Sequence, residues 1–257
     1  MSLRRLCATR YVTPLREGGS MPAVVEGDDQ GLYVLKFRGA GQGPKALVAE
    51  AISGGLARAL ELPMPEIVLM DLDAELARTE GDPEIQDLIK ASAGLNLGMD
   101  YLPGAMNFDP VAEQPDPELA SRIVWFDAFT SNVDRTARNP NMLVWHGRLY
   151  LIDHGASLYF HHGWDGDTKQ AGKPFALVRD HVLLRWADRI ADVDPDMASR
   201  LPEAVVADIV GQVPDEWLQG PDAFADPATQ RAAYVAYLCQ RLAAREGFVQ
   251  EAIRARA

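Results

Sequence analysis

Between Asn132 and Gly155 the chain reads NVDRTARNPNMLVWHGRLYLIDHG, and no other stretch limits the possible folds as much. Two short apolar runs, Met142–Trp145 and Arg148–Ile152, meet at His146-Gly147, the pattern of a β-hairpin. Polar groups stand at both of its ends, Asp134 and Asn139 before it and Asp153 after it. A hairpin returns the chain to its starting point, so Asn139 and Asp153 are expected near each other. Taken singly, each of the three is ordinary helix-cap or turn chemistry. Taken together, an Asp-x-x-x-x-Asn segment followed by a strand ending in Asp-x-Gly supplies what phosphoryl transfer from a nucleotide requires. One carboxylate orients the attacking hydroxyl, and an amide with a second carboxylate holds metal ions against the phosphates. Such groups act only from rigid elements, because loose positioning forfeits most of the catalytic gain.

The first hundred residues read as a small mixed unit. Tyr11-Val12 and Ala23–Val25 are short strands on either side of a turn at Glu17–Ser20. Leu32–Phe37 is a stronger strand, whose alternation puts Val34 and Lys36 on one face and Tyr33, Leu35 and Phe37 on the other. Lys36 is either a solvated edge residue or a cation reaching into a cleft. A helix follows from Lys45, weakened in its middle by Gly54-Gly55 and ended before Pro63. Glu50 on that helix reads alone as a solvated residue, and beside Lys36 as the partner that steadies a phosphate-binding lysine. Glu66–Met70 and Gly94–Leu102 read as further strands, with a helix opened by Asp82-Pro83-Glu84 between them. Pro103-Gly104 marks a hinge, dividing the chain into a strand-rich lobe at 1–102 and a helical lobe at 103–257.

Beyond the hinge, Asp116-Pro117-Glu118 starts a helix whose apolar stripe runs to Phe129 and delivers the chain to Asp134. Further helices are expected at about 176–191, 201–212 and 227–253. Arg135 and Arg138 neutralise the acidic site, contact substrate or face water, the last being favoured for Arg138. His154 either tunes the neighbouring metal carboxylate or simply packs there. His161-His162 with Asp165 and Asp167 reads as a solvated loop rather than a metal site, lacking the ligand spacing of zinc sites. Trp186, Trp217, Tyr234 and Tyr237 read as core.

The formal net charge of −12 and pI near 4.8 argue against nucleic acid as a partner. They also mean that a nucleotide approaches against the mean field, so local cations must reverse it. Cys7 and Cys239 have no ligand-like spacing and are expected as reduced, buried thiols. The N-terminus lacks the apolar segment of a signal peptide and no run of 18 apolar residues occurs. No membrane association is expected, and the expected location is the cytoplasm.

With these residues placed, the chain resembles the HipA-like kinase family, in particular its shorter single-domain branch. It is similar in layout to phosphoinositide kinases and, more distantly, protein kinases. The resemblance rests on GGSMP at 18–22, YVLKF at 33–37, Glu50, NVDRTARNPN at 132–141 and LIDHG at 151–155. It implies an α+β, bilobal protein-kinase-like fold, with an antiparallel sheet in the small N-terminal lobe, a helical C-terminal lobe, and ATP between them. By position, Lys36 would contact the phosphates and Glu50 would hold Lys36. Asp134 would be the catalytic base, with Asn139 and Asp153 binding Mg2+. Backbone at Gly18, Gly19 and Ser20 would cover the phosphates, and backbone at about Asp100–Leu102 would receive adenine. The implied activity is transfer of the ATP γ-phosphoryl group to a hydroxyl of a protein Ser/Thr or a small molecule. Transfer of AMP, or an ATP-binding pseudokinase, are the alternatives on the same fold. Asn132-Val133 stand where protein kinases have His-Arg, and there is no Ala-Pro-Glu signature. The chain is shorter than toxins that meet an antitoxin through an added N-terminal region, which makes an antitoxin partner doubtful. Ser20, a hydroxyl within the expected phosphate loop, is a conceivable site of self-phosphorylation.

Overall fold

A computed structural model describes residues 2–15, 21–41, 43–219 and 224–257. Its N-terminal half is governed by the length of the first strand, β1 (Arg5–Pro14). It is followed by β2 (Ala23–Gly27), β3 (Leu32–Lys36), β4 (Ile67–Leu72) and β5 (Gly94–Asp100). Ten residues are enough for β1 to serve two neighbours. Arg5–Cys7 pair in parallel with β4, and Ala8–Pro14 pair antiparallel with β2. Against the burial expected for both cysteines, Cys7 is exposed on this strand and Cys239 is half-buried. The sheet therefore closes into a barrel of order β1-β2-β3-β5-β4. This corrects the antiparallel sheet expected from the sequence. Alternation marks which residues face inward but carries no information on a strand's partner or direction, and closure removes the exposed edges of a flat sheet. The facing itself is as expected. Tyr33, Leu35 and Phe37 join the barrel interior, together with Ile85 and Ile89 of helix α2 (Pro83–Ala91). Val34 packs against the other, larger core.

Helix α1 (Pro44–Ala59) lies in that larger core and is buried at every residue from Leu47 to Gly54. A helix apolar on all sides belongs in an interior rather than on a surface. Its Gly54-Gly55 pair, poor for helix propensity, is what allows the neighbours to approach. A Cβ on Gly55 would stand 2.5 Å from Ile209 Cγ2, and one on Gly54 2.7 Å from Ile67 Cδ1.

In the second half, β6 (Met106–Asn107) joins the hairpin of β7 (Met142–Trp145) and β8 (Arg148–Leu151) as a third strand. His146 and Gly147 have φ of 49° and 70°, the doubly positive turn that suits a two-residue hairpin. Helix α3 (Pro117–Thr130) runs through the centre, its Trp125, Phe126 and Phe129 wholly buried. Arg241 closes its C-terminal end, donating to the carbonyls of Ala128 and Phe129 and to Ala171. The helix dipole favours a cation there. Burial, with no carboxylate beside it among the described residues, pushes the Arg241 pKa down to about 10.

The helix expected at 176–191 is replaced by 3-10 turns at Ala176–Asp180 and Leu184–Trp186, and α4 (Ile190–Ser199) begins later. The backbone here is committed elsewhere: Val182 N–H donates to Arg135 O at 3.1 Å, and His181 bridges to Thr136. α5 (Glu203–Gly211) lies where expected. The expected helix at 227–253 divides into α6 (Pro227–Ala243) and α7 (Glu246–Arg256), a bend that brings Phe248 against Trp125 at 5.5 Å. Among the described residues no helix is long and apolar enough to cross a membrane.

Gly55→Ala is expected to cost about 1–3 kcal/mol by overpacking against Ile209. Gly211→Ala, at a helical position with nothing within 4 Å, is expected to hold or raise stability. Chemical denaturation of the two variants checks the contrast.

Candidate active site

Strand β3 and helix α1 meet the end of β8 at one ammonium group. Lys36 Nζ donates to Glu50 Oε1 and, at 2.7 Å, to Asp153 Oδ1. The Lys36 side chain is 14% exposed, Glu50 1% and Asp153 48%, so one carboxylate is sealed in and the other faces the solvent. Both residues whose surroundings were open from sequence, Lys36 and Glu50, thus point inward. Burial by itself would lower the Lys36 pKa, but the charges of Glu50 and Asp153 outweigh it and hold the ammonium above the usual lysine range. Burial would likewise raise Glu50, and Lys36 first among its neighbours holds it below the usual carboxylate range instead. Asp153 has a left-handed backbone, φ 55°. Asp and Asn accept that region better than most residues, and such backbone persists where its surroundings fix it.

On the approach to the hairpin, Asp134 is held on three sides. Its Oδ2 accepts from Asn139 Nδ2 at 2.7 Å and from Asn141 Nδ2 at 3.2 Å, and its N–H donates to Asn132 Oδ1 at 3.1 Å. Oδ1 carries no hydrogen bond among the described residues, leaving that oxygen to take a proton or orient a hydroxyl. Asn139 is exposed and Asn141 is buried with φ 49°. The hairpin does bring its ends together, but the residue set against Ile152 is Asn141, whose carbonyl accepts the Ile152 N–H at 3.0 Å. Asn141 was not singled out from sequence. Its signal was position alone, the last residue before β7.

Arg135 does none of the three things read from sequence. It is 1% exposed, and Nε donates to Asp127 Oδ2 at 2.5 Å. Its Nη1 donates to the carbonyls of Asn141 and Ile152. Asp127, on the last turn of α3, also accepts from Asn132 Nδ2 at 2.9 Å and His181 Nε2 at 2.9 Å. Since Leu183 N–H donates to His181 Nδ1 at 3.0 Å, the neutral ring with its proton on Nε2 satisfies both bonds. Burial would raise the Asp127 pKa, and Arg135 with His181 holds it well below the usual range. One carboxylate thereby ties α3, the Asp134 loop, the hairpin and the 181–183 segment together. Asp127 was visible as a lone acid within the apolar run IVWFDAF, which in a buried helix signals an internal ion pair.

After Asp153 the chain stays pinned. His154 is buried edge-on against Phe126, ring centres 5.7 Å apart. Lys45 of α1 donates to His161 O at 2.9 Å, and Phe160 stacks on Tyr237 at 3.6 Å. The solvated reading of His161 is therefore corrected: it is 1% exposed, with Nδ1 3.0 Å from Tyr234 Oη. Burial, then the charges of His162 and Lys45, lower its pKa to about 3. Among the described residues no group of three or more His, Cys, Asp or Glu side chains forms a metal cage. Tyr234, Tyr237 and Trp217 are buried, while Trp186 is half-buried beneath Arg185 at 3.7 Å.

At the end of β5, the Asp100 N–H donates to Glu66 O and the Tyr101 N–H to Leu32 O. The Leu102 N–H has no acceptor among the described residues. Gly18, Gly19 and Ser20 lie outside the described residues. A cavity of about 450 Å3 between α1 and α5 and another of about 340 Å3 beside β7 and β8 include none of Lys36, Glu50, Asp134 or Asp153.

A buried lysine–glutamate pair, with two carboxylates and two amides gathered around a hairpin, is the equipment of a phosphotransferase. The model of the HipA-like kinases matches residues 9–251, and the chain belongs to that family. Among solved structures it is similar to the Helicobacter pylori proinflammatory kinase CtkA, with a TM-score of 0.56 and 11% identity over 97% of this chain and 98% of that one. The Golgi casein kinase with Mn/ADP bound gives a TM-score of 0.47 and 10% identity over 96% of this chain and 74% of that one. The same kinase in a second structure gives 0.45 and 11% over 95% and 72%. At 11% identity the likeness to CtkA is one of fold. A search of curated proteins gave no match.

Arg135→Met leaves the Asp127 carboxylate buried without its main counter-charge and is expected to destabilise the protein by about 3–5 kcal/mol in chemical denaturation. His161 stays neutral in the folded chain until about pH 3, whereas the unfolded chain protonates near 6.5. Stability should therefore fall as pH drops from about 6.5 towards about 3. His161→Gln should flatten that slope in urea titrations across the window.

Proposed function

We propose that this chain is an ATP- and magnesium-dependent kinase that transfers the γ-phosphoryl group to a hydroxyl of a protein Ser/Thr or a small molecule. The observation that carries the proposal is Lys36, whose one ammonium engages Glu50 inside and Asp153 at the solvent face. In this reading 1–102 and 103–257 act as the two lobes, and the nucleotide lies between them. Lys36 has a third N–H to give to phosphate, and Glu50 keeps the ammonium charged and aimed. The Leu102 amide, the unspent donor of its segment, suits an adenine acceptor, while Gly18, Gly19 and Ser20 would cover the phosphates. Asp134 receives the acceptor hydroxyl at Oδ1, because its Oδ2 is occupied by two amides.

The donor set fits a hard divalent cation. Asp153 offers a half-exposed carboxylate, and Asn139, whose Nδ2 is turned to Asp134, keeps its amide oxygen for a ligand. Bound there, magnesium would neutralise charge on the phosphates. The acceptor side is open to solvent at Asn139 and Arg138, which suits a substrate brought from outside rather than one enclosed.

ATP at a hundred times its dissociation constant should stabilise the protein by about 2.7 kcal/mol, and magnesium should be needed for the full shift. Asp153→Asn keeps a residue tolerant of the left-handed backbone and should lose the magnesium-dependent part. Asp134→Asn should bind ATP normally and lose turnover. Retained full rate in Asp134→Asn would remove that residue from the chemistry. A substrate mass increased by AMP rather than phosphate would replace kinase by nucleotidyl transferase.

A further inference from the structure

Helix α1 carries Glu50 into the core with only one of its oxygens satisfied. Oε1 is held by Lys36, while among the described residues Oε2 has no hydrogen bond and neither ring nitrogen of His154 has one. The two unsatisfied groups face each other: His154 Nδ1 stands 3.7 Å from Glu50 Oε2, beyond hydrogen-bond length, with the side chains 0% and 1% exposed. The hydroxyls of Ser53, one turn further along α1, and Ser157, whose N–H donates to His154 O, also lack partners. Buried polar groups left without partners are costly. A cluster of them suits an arrangement completed in another state of the protein.

We propose that His154 is a positioning residue for Glu50, its Nδ1–H closing onto Oε2 when Lys36 is drawn towards a nucleotide. This rests on the reading of Lys36 as a phosphate contact. The ammonium has three donors and spends two of them, on Glu50 and Asp153, in this structure. As it turns to phosphate, Glu50 keeps its negative charge but loses part of its compensation, and α1 holds it where water cannot replace the loss. The imidazole Nδ1–H supplies the missing donor. A hydrocarbon ring in the same place could pack on Phe126 but could not answer Oε2.

The test compares wild type with His154→Phe, His154→Asn and His154→Gln, using ATP with magnesium as the probe. The Asn amide donor lies where Nδ1 is, and the Gln donor lies where Nε2 is. Without nucleotide, His154→Phe should melt at or above the wild-type temperature, because it keeps the ring and removes two unpaired nitrogens. Its affinity for ATP by calorimetry should fall about tenfold, the worth of one hydrogen bond to a charged group, with KM for ATP rising in step. Asn should restore most of that affinity and Gln should not. Wild-type affinity and KM in His154→Phe overturns the inference alone. So does an equal loss in all three variants, which would mark a packing role. Wild-type protein without affinity for ATP overturns the kinase reading itself.

Discussion

A carboxylate inside an apolar helix has to be neutralised, and Glu50 imposes that condition on both halves of this protein. α1 is buried almost all round because it lies between the barrel and the helical half. Lys36 from β3 meets the condition, and the charge that remains on the ammonium is met by Asp153 at the end of β8. Two small groups of atoms thereby set the distance between strand, helix and hairpin. Breaking a buried pair of this kind by removing one partner typically costs several kcal/mol, so the register of the three elements is defended by the cost of leaving a charge alone.

The second buried charge system serves a different end. Asp127, Arg135 and His181 do not touch Lys36, yet they decide where Asp134 and Asp153 stand. Arg135 reaches from α3 to the carbonyls at both edges of the hairpin, Asn141 and Ile152. Both flanking positions where the chain takes left-handed backbone, Asn141 and Asp153, sit within one residue of those contacts. Strained backbone survives when its surroundings over-determine it, and a bidentate, permanently charged guanidinium with a buried acid is well suited to do so. The helix that presents Asp127 is closed at its end by another buried arginine, Arg241, so the platform beneath the site is rigid at its last turn.

Much of the candidate site could be read along the chain because its groups are short-range. Asp134, Asn139, the hairpin and Asp153 lie within a single stretch, and the turn residues His146-Gly147 specify how that stretch folds. The Lys36 and Glu50 pairing was readable as a strand followed by a helix. Where reading failed, contacts between distant segments had taken over. The 176–191 segment has helical periodicity, but its Val182 amide is taken by the Arg135 carbonyl and His181 pairs with Thr136, and 3-10 turns form instead. Arg135 was open to three readings because its partner, Asp127, lies on the far side of a helix end. His161 looked like part of a polar loop, and only Tyr234 and Lys45, from α6 and α1, show that it is interior.

The residue order alone set out the candidate chemical groups, since the identity and spacing of one lysine, three acids and one amide need no fold to be recognised. It also determined which faces of β3 and α3 are apolar, because alternation and helical period are local. Tertiary structure decided that the sheet closes on itself through a parallel pair, that Asn141 rather than Asn139 lies against the strand leading to Asp153, and that Arg135 is a strut. Each of those depends on which distant group is available to satisfy a buried charge or amide. That is a property of the packed molecule, where water no longer competes for the bond.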